Sequence, residues 1–269
     1  MSGNLSHSMR ENYDTHGVEK YYNLVSASYR NPHFPGVQKC LHSWLDKWWL
    51  RESGPRVPDE PLSFWDLAAG SGEVTEAILN WYSLRRTKRQ GTRAGESQSI
   101  QPADAASGQP SPPPLPIRKP FRRPGVVLDP STPEPLIVAS DPFTAPAYTA
   151  RTSRHCTPLS FADVADGCMP SLVAGDEGRS GDVASGEAPD ATMMPQIIDM
   201  VVSSFALHLC TPSELFALLY ELSRKSTWLV VLAPHKKPEI KPGWGWVRWN
   251  ITKWEEAEVR LRVWKSLNS

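Results

Sequence analysis

A turn of small residues at positions 66–73 has the residue types of a ligand-binding loop. It reads Asp-Leu-Ala-Ala-Gly-Ser-Gly-Glu, ends an apolar run at 62–67 and precedes apolar side chains at helical spacing in 73–84. A strand that turns directly into a helix presents backbone N–H groups at the sheet edge where open α/β sheets bind ligands. Gly70 and Gly72 let a ligand approach the main chain with no Cβ in the way. Glycine is also common in turns that bind nothing, so other parts of the chain must decide.

An acidic residue, Asp141, stands at the end of the next predicted strand. The apolar run at 136–139 predicts that strand, which places Asp141 at its carboxyl end. A carboxylate there could accept hydrogen bonds from both hydroxyls of a ribose. Because Pro142 follows, Asp141 is equally suited to start a turn.

Strands and helices alternate along the parts of the chain that have a periodic pattern. The pattern predicts strands at residues 62–67, 136–139, 157–161, 197–205, 228–232 and 259–264, the last at an edge of the sheet. It predicts helices at residues 73–84, 143–153 and 213–223, and two more within 17–50 that are joined at 31–36. This order predicts an α/β fold with a mainly parallel sheet and helices on both faces.

Two polar stretches interrupt this pattern. Residues 86–134 and 166–195 are rich in Gly and Ser, lack apolar periodicity and are predicted to be disordered insertions. Residues 1–16 are also predicted to be disordered, and residues 17–60 to form an N-terminal helical cap. Residues 61–269 are predicted to form one domain around the insertions.

Charge and cysteine content exclude some classes of function. Lys plus Arg and Asp plus Glu each total 29, so no global field draws the chain to nucleic acid or anionic lipid. A local excess of positive charge lies between Arg85 and Arg123, where the sequence has nine basic residues and two acidic ones. The four cysteines form neither a CxxC pair nor a zinc knuckle, and no stretch approaches the ~20 apolar residues of a membrane span. We therefore expect a cytoplasmic or nuclear protein without a bound metal.

Four motifs in the correct order resemble those of class I S-adenosylmethionine-dependent methyltransferases. Residues 66–72 resemble motif I, residues 139–142 the second motif, residues 161–163 the third, and residues 198–208 the fourth strand of many family members. The resemblance covers about residues 62–233 once the insertions are removed. It implies a Rossmann-like methyltransferase fold, S-adenosylmethionine as the cofactor, and transfer of its methyl group to an acceptor.

Carried over position by position, the resemblance implies ten cofactor-binding residues. Those at the methionine part and its loop are Asp66, Ala68, Gly70 and Gly72. Those around the ribose and adenine are Asp141, Pro142, Asp163 and Val164, and those beside the sulfonium are Ser203 and Ser204.

The sequence departs from the family pattern in three places. Ala68 stands where glycine is commonest, which is tolerable if its φ stays negative. The first insertion puts Asp141 about 75 residues beyond Asp66, whereas roughly 20 is usual in such units. Little chain follows Ala233, so we expect the usual last helix and antiparallel strand pair to be truncated.

The methyl acceptor leaves few marks in the sequence. Methyl transfer from a sulfonium is an in-line displacement that needs a base only when the acceptor carries a proton, so no catalytic residue follows from the cofactor motifs. His208, just after the fourth strand, is the candidate base, although packing or capping suits it as well. Tyr22, Tyr29 and His33 are candidates for an acceptor-binding lid, with core packing as the alternative. The tryptophans of residues 244–254 either pack over the end of the sheet or form a partner surface.

Three functions are compatible with these observations. The first is methyl transfer to a small molecule or a protein side chain. The second is RNA methylation that uses the basic residues between Arg85 and Arg123 as an electrostatic arm. The third is a methyltransferase-like fold kept as an interaction protein, which Ala68 and the short C-terminal region suggest. A nicotinamide dehydrogenase is disfavoured, because Thr75 stands where its fingerprint needs glycine and Glu73 would repel a pyrophosphate.

Overall fold

The structure, a computed structural model, describes most of the predicted domain. The described residues are Gly17, 30–52, 60–87, 126–172, 197–234, 236–249, 254–256 and 259–269. The predicted disordered N-terminus, the first helix of the cap and the interior of both predicted insertions lie outside these residues.

Five helices and seven strands make up the described chain. The helices are α1 (Phe34–Glu52), α2 (Glu73–Thr87), α3 (Ala145–Thr152), α4 (Phe161–Ala165) and α5 (Pro212–Lys225), with a 3₁₀ turn at Leu207–Leu209. The strands are β1 (Ser63–Leu67), β2 (Leu136–Ser140), β3 (Ile198–Ser204), β4 (Ser226–Ala233), β5 (Trp246–Arg248), β6 (Trp254–Glu256) and β7 (Val259–Ser266).

One sheet contains all seven strands in the order β2-β1-β3-β4-β7-β5, with β6 also paired to β7. The first four of these strands are parallel, and β7 is antiparallel to β4. The predicted α/β architecture is therefore confirmed. Chain order reverses between β1 and β3, and the crevice at such a switch point is where open sheets bind ligands.

One predicted strand is reduced to a single bridge. Residues 157–161 were expected to form a strand, but only Thr157 pairs, in parallel with Ser140. The reason is local, because Ser160 and Asp163 form a reciprocal capping box that starts α4 at Phe161.

The C-terminal region corrects two expectations. β7 was expected at an edge, yet it lies between β4 and β5, because its alternate residues pack on both faces of the sheet. The antiparallel strands expected to be truncated are present as β5, β6 and β7, in short segments that turn back on β7. The described residues between β4 and β7 contain no helix.

Helices cover both faces of the sheet. On one face, α1 and α2 bury large side chains such as Trp44 and Trp81, and the indole of Trp81 donates to Asp46 at 2.9 Å. On the other face, the apolar side of α5 packs on β3 and β4. Val126 joins the first core, so packed chain resumes inside the span predicted as the first insertion. Leu172 likewise packs in the second core, inside the span predicted as the second insertion.

The C-terminal tryptophans pack against the sheet edge. Trp246 is buried and its indole donates to the Leu219 carbonyl at 2.7 Å. Trp249 lies edge-on to Trp228 and Trp44, at ring-centroid distances of 5.1 and 6.5 Å. This packing favours the first of the two roles considered for this segment in the case of Trp246 and Trp249. Among the described residues, no helix combines the length and apolar character needed to cross a membrane.

Candidate functional site

The turn after β1 has three residues with positive φ. Ala68 has φ +58°, Gly70 +58° and Gly72 +87°. The condition under which alanine is tolerable there, a negative φ, is therefore not met, and the left-handed conformation costs an alanine roughly 1–2 kcal/mol that glycine would not incur. Strain of this kind persists where the surrounding structure enforces it, as it often does at ligand sites.

Asp141 ties this turn to the end of β2. Its Oδ2 accepts from the Gly70 N–H at 3.1 Å, and its Oδ1 accepts from the N–H groups of Phe143 and Thr144, both at 2.9 Å. Because β1 and β2 are hydrogen-bonded neighbours, the long insertion between them does not separate their carboxyl ends. Asp141 thus starts the turn before α3, which is one of the two roles left open for it. It also lies at the edge of the sheet where the resemblance implies a ribose, and that contact stays a prediction.

A cavity of about 350 Å³ opens at this edge. Its walls come from residues 68–70 and Glu73, residues 141–143, residues 159–161, residues 204–206, the start of α5, and Asn31 before α1. Five of the ten residues expected to bind the cofactor line it, namely Ala68, Gly70, Asp141, Pro142 and Ser204. They come from three neighbouring strands, so the turn, the acid and the end of β3 face one space.

Asp66 lies behind the cavity wall. It is 1% exposed, and its Oδ2 accepts from the N–H and the hydroxyl of Thr75 at 3.1 and 2.8 Å. Burial raises the pKa of Asp66 to about 8, against the opposing effect of the Thr75 bonds. The Thr75 hydroxyl also lies 3.0 Å from the Tyr148 hydroxyl. Asp66 therefore connects β1 to α2 and α3. The family resemblance implies that it orients the loop, and this role stays a prediction.

Gly72 packs against α3 and does not face the cavity. A Cβ on Gly72 would lie 2.5 Å from Thr152 Cγ2 and 3.1 Å from Tyr148 Cδ2. Gly72 is absent from the described cavity wall, where it was expected. Its lack of a side chain lets α3 approach the turn closely.

The residues expected beside adenine also lie outside the wall. The Asp163 carboxylate accepts from the N–H and hydroxyl of Ser160 at 2.8 and 2.7 Å, which lowers the pKa of Asp163. Val164 is fully buried in the core under α5. The wall is formed instead by Leu159, Ser160 and Phe161. The Ser-x-x-Asp spacing is a capping-box signature, and it could have revealed this offset from the sequence.

The side of the cavity next to β3 differs from expectation as well. Ser203 is 1% exposed and its hydroxyl has no hydrogen-bond partner among the described residues. Phe205, which was not predicted, lines the cavity with φ +57° and stacks on His33 at a centroid distance of 5.1 Å. A left-handed conformation is rare for so bulky a residue. His33 thus lies beside the cavity, whereas Tyr22 and Tyr29 fall outside the described residues.

His208 does not reach the cavity wall. It lies in the 3₁₀ turn after β3, while Leu209 and Cys210 beside it contribute to the wall. Burial raises the pKa of Cys210 to about 12, so its thiol stays protonated at neutral pH. The structure therefore gives His208 no direct place at the candidate site.

The described wall of the cavity is acidic. Its charged side chains are Asp141, Glu73 and Glu214, and it contains no Lys, Arg or His. Glu73 is 4% exposed, and its Oε1 accepts from Asn31 N–H at 3.1 Å and from Arg151 Nη1 at 3.0 Å. This charge favours a cationic ligand over an anionic one.

In the described part of the chain, no group of three or more His, Cys, Asp or Glu side chains could hold a metal ion.

The strand order and the crevice between β1 and β3 define the Rossmann-like fold of class I methyltransferases. The chain belongs to the same family as the uncharacterized protein C17A5.05c of Schizosaccharomyces pombe, with 38% identity over 252 residues, 93% of this chain and 84% of that one. No protein-family model matches the chain.

Solved methyltransferases resemble the chain only distantly. One is magnesium protoporphyrin IX methyltransferase from Synechocystis PCC 6803 with bound SAM, at TM-score 0.45 and 9% identity, covering 97% of this chain and 95% of that one. Another is the N-methyltransferase NodS from Bradyrhizobium japonicum in complex with S-adenosyl-L-homocysteine, at TM-score 0.44 and 8% identity, covering 95% and 98%. At such scores it is the strand order, and not the overall superposition, that defines the fold.

Proposed function

We propose that this protein is an S-adenosylmethionine-dependent methyltransferase. The observation that carries the proposal is the 3.1 Å hydrogen bond from Gly70 N–H to Asp141 Oδ2, which joins the turn after β1 to the acid after β2 at one cavity. A dinucleotide would put a pyrophosphate at the start of α2, where Glu73 is already buried in the wall.

The residues present fit this cofactor. The cavity falls within the roughly 300–1,000 Å³ typical of small-molecule sites. In our assignment the turn at Ala68 and Gly70 holds the methionine part, Asp141 accepts from the ribose hydroxyls, and Leu159 with Phe161 encloses the adenine. The acidic wall suits the positive sulfonium. The cofactor, when bound, supplies a methyl group activated for in-line displacement.

The chain's own residues would act mainly by positioning. Phe205 and its partner His33 enclose the end of the cavity next to β3, where an acceptor would meet the methyl group. Excluding water there strengthens the electrostatic contacts of both reactants. Glu214 lines the cavity and is the carboxylate that we assign to take a proton from a protonated acceptor. A wall without Lys, Arg or His among its described residues favours a neutral or cationic acceptor, on a small molecule or a protein side chain.

Calorimetric titration tests the cofactor assignment. We expect the full chain to bind S-adenosylmethionine and S-adenosylhomocysteine, and Asp141→Asn to weaken both at least about tenfold, since a charged acceptor is lost. Asp199→Asn is the matched control, because it makes the same chemical change at the start of β3, at the end of the sheet opposite the cavity, and should leave affinity within about twofold. No binding heat at millimolar ligand, or an equal loss in the two variants, would refute the proposal.

A labelled-methyl assay would then identify the acceptor. Cell extract is fractionated into protein, RNA and small molecules, and each fraction is incubated with enzyme and labelled cofactor. Transfer that disappears in Asp141→Asn and persists in Asp199→Asn belongs to this site.

A further inference from the structure

A second and larger concavity lies at the opposite side of the sheet from β2. It has a volume of about 1060 Å³ and runs along β5, β7 and the loop after β4. None of its described lining residues also lines the candidate cofactor cavity. We call it the arginine groove, after Arg248, Arg260 and Arg262 in its wall.

The arginine groove is strongly basic, although the chain as a whole has no net charge. Its charged side chains within the described residues are Lys236, Lys237 and the three arginines against one acid, Glu239. Such a concentration of one sign in a concave surface focuses a positive field on the groove. This field attracts anions to the groove, and its cations come from residues 236–262 of the sequence.

Arg262 is the centre of this charge. Its guanidinium donates to the backbone carbonyls of Lys236, Lys237 and Pro238, the last at 2.8 Å. Carbonyl acceptors hold the side chain in place but carry no net charge to cancel its own. Burial and the nearby charges of Arg248 and Arg260 lower the pKa of Arg262 to about 10. A bound anion would relieve this repulsion.

Exposed aromatic rings border the groove. Phe216 and Tyr220 on α5 are 44% and 46% exposed, with ring centroids 6.1 Å apart. Phe216 also lies edge-on to Trp244 at 5.6 Å. Trp244 falls between Pro242 and Trp246, which both line the groove. The Trp246 indole also donates to the Leu219 carbonyl of α5 at 2.7 Å, so the groove wall contacts the helix that carries the two rings.

We infer that the arginine groove binds single-stranded RNA, with phosphates on Lys236, Lys237 and Arg248 and bases against the rings of Phe216 and Trp244. A positive groove beside stacking surfaces is the arrangement by which proteins hold single strands. A small anion would bind the charged side chains but would not contact the exposed rings. An acidic peptide would also bind the charged side chains and would gain little from the rings. The inference is independent of the proposed cofactor site.

Fluorescence anisotropy with a labelled single-stranded RNA of about 12 nucleotides tests this binding on the full chain. We expect Arg248→Glu and Lys237→Glu each to weaken binding at least about fivefold and to reduce the salt dependence by about one phosphate contact. Lys39→Glu is the matched control, since Lys39 is exposed on α1, does not line the groove and undergoes the same charge change. Melting temperatures exclude variants that fail to fold.

The aromatic contribution is tested separately. We expect Phe216→Ala to weaken RNA binding about fivefold or more, while Leu84→Ala, at an equally exposed apolar side chain on α2, leaves it unchanged. Asp141→Asn should keep RNA affinity even if it loses the cofactor, so the two proposals can fail separately. The inference would be overturned if Arg248→Glu and Lys39→Glu lost equal affinity, or if neither lost any. It would also be overturned if inorganic pyrophosphate competed as effectively as unlabelled RNA.

Discussion

The substitution Gly72→Ala separates the packing role of the turn from ligand binding. The new Cβ would lie 2.5 Å from Thr152 Cγ2, closer than such atoms approach, and 3.1 Å from the Tyr148 ring, which is a tight contact. Neither neighbour moves easily, because the Thr152 hydroxyl is bonded to the Tyr148 carbonyl at 2.9 Å and Tyr148 is fully buried. Overpacking of this kind costs about 1–3 kcal/mol. The φ of +87° adds about 1–2 kcal/mol for an alanine.

We therefore expect Gly72→Ala to lower the free energy of unfolding by about 2–5 kcal/mol. Urea denaturation measures this loss. Thr152→Ser provides a built-in test, because it removes Cγ2 and keeps the bonded hydroxyl. In the double variant Gly72→Ala/Thr152→Ser, part of the overpacking cost should disappear while the backbone cost remains.

Two results would refute this reasoning. One is a loss of less than about 0.5 kcal/mol in Gly72→Ala, the range of an unremarkable surface change. The other is an additive double variant, which would mean that Thr152 does not contact the new methyl group. If the folded fraction of Gly72→Ala instead loses cofactor affinity more than about tenfold, Gly72 touches the ligand after all, as the family resemblance implied.

Three further predictions concern single residues. Ala68→Gly should raise the free energy of unfolding by up to about 1 kcal/mol, because it relieves the left-handed strain at some entropic cost, and urea denaturation would show the opposite sign if the strain were absent. Burial raises the pKa of Asp66 from 3.8 to about 8, so its contribution is present below about pH 4 and is lost as the pH rises toward 8. Unfolding of Asp66→Asn should show a shallower decline between pH 5 and about pH 8 than wild type, and identical slopes would contradict the assignment. Asp46→Ala should cost about 1–3 kcal/mol in thermal or urea unfolding, because the Trp81 indole and the Arg85 guanidinium both lose their acceptor, and a neutral result would show that water replaces it.

Local sequence patterns were enough to predict the elements that carry the site. The apolar run before Asp66, the small residues after it and the helical spacing beyond Glu73 are contiguous, and each predicts its own conformation. The apolar run at β3 is equally direct, because a strand covered on both faces has apolar residues at nearly every position. These elements and the position of Asp141 sufficed to predict one cavity at one sheet edge.

The sequence by itself thus determined the strands and helices that carry the site and the turn that faces the cavity, since these follow from patterns among near neighbours in the chain. It did not show α4, β5 or β6, and it predicted a strand at 157–161 that is only a bridge. Only the tertiary structure decided which residues at that edge reach the cavity. The positive φ of Ala68, the contact of Gly72 with α3 and the interior position of β7 each depend on a segment distant in sequence. Such contacts are set by packing in three dimensions, which no local period encodes.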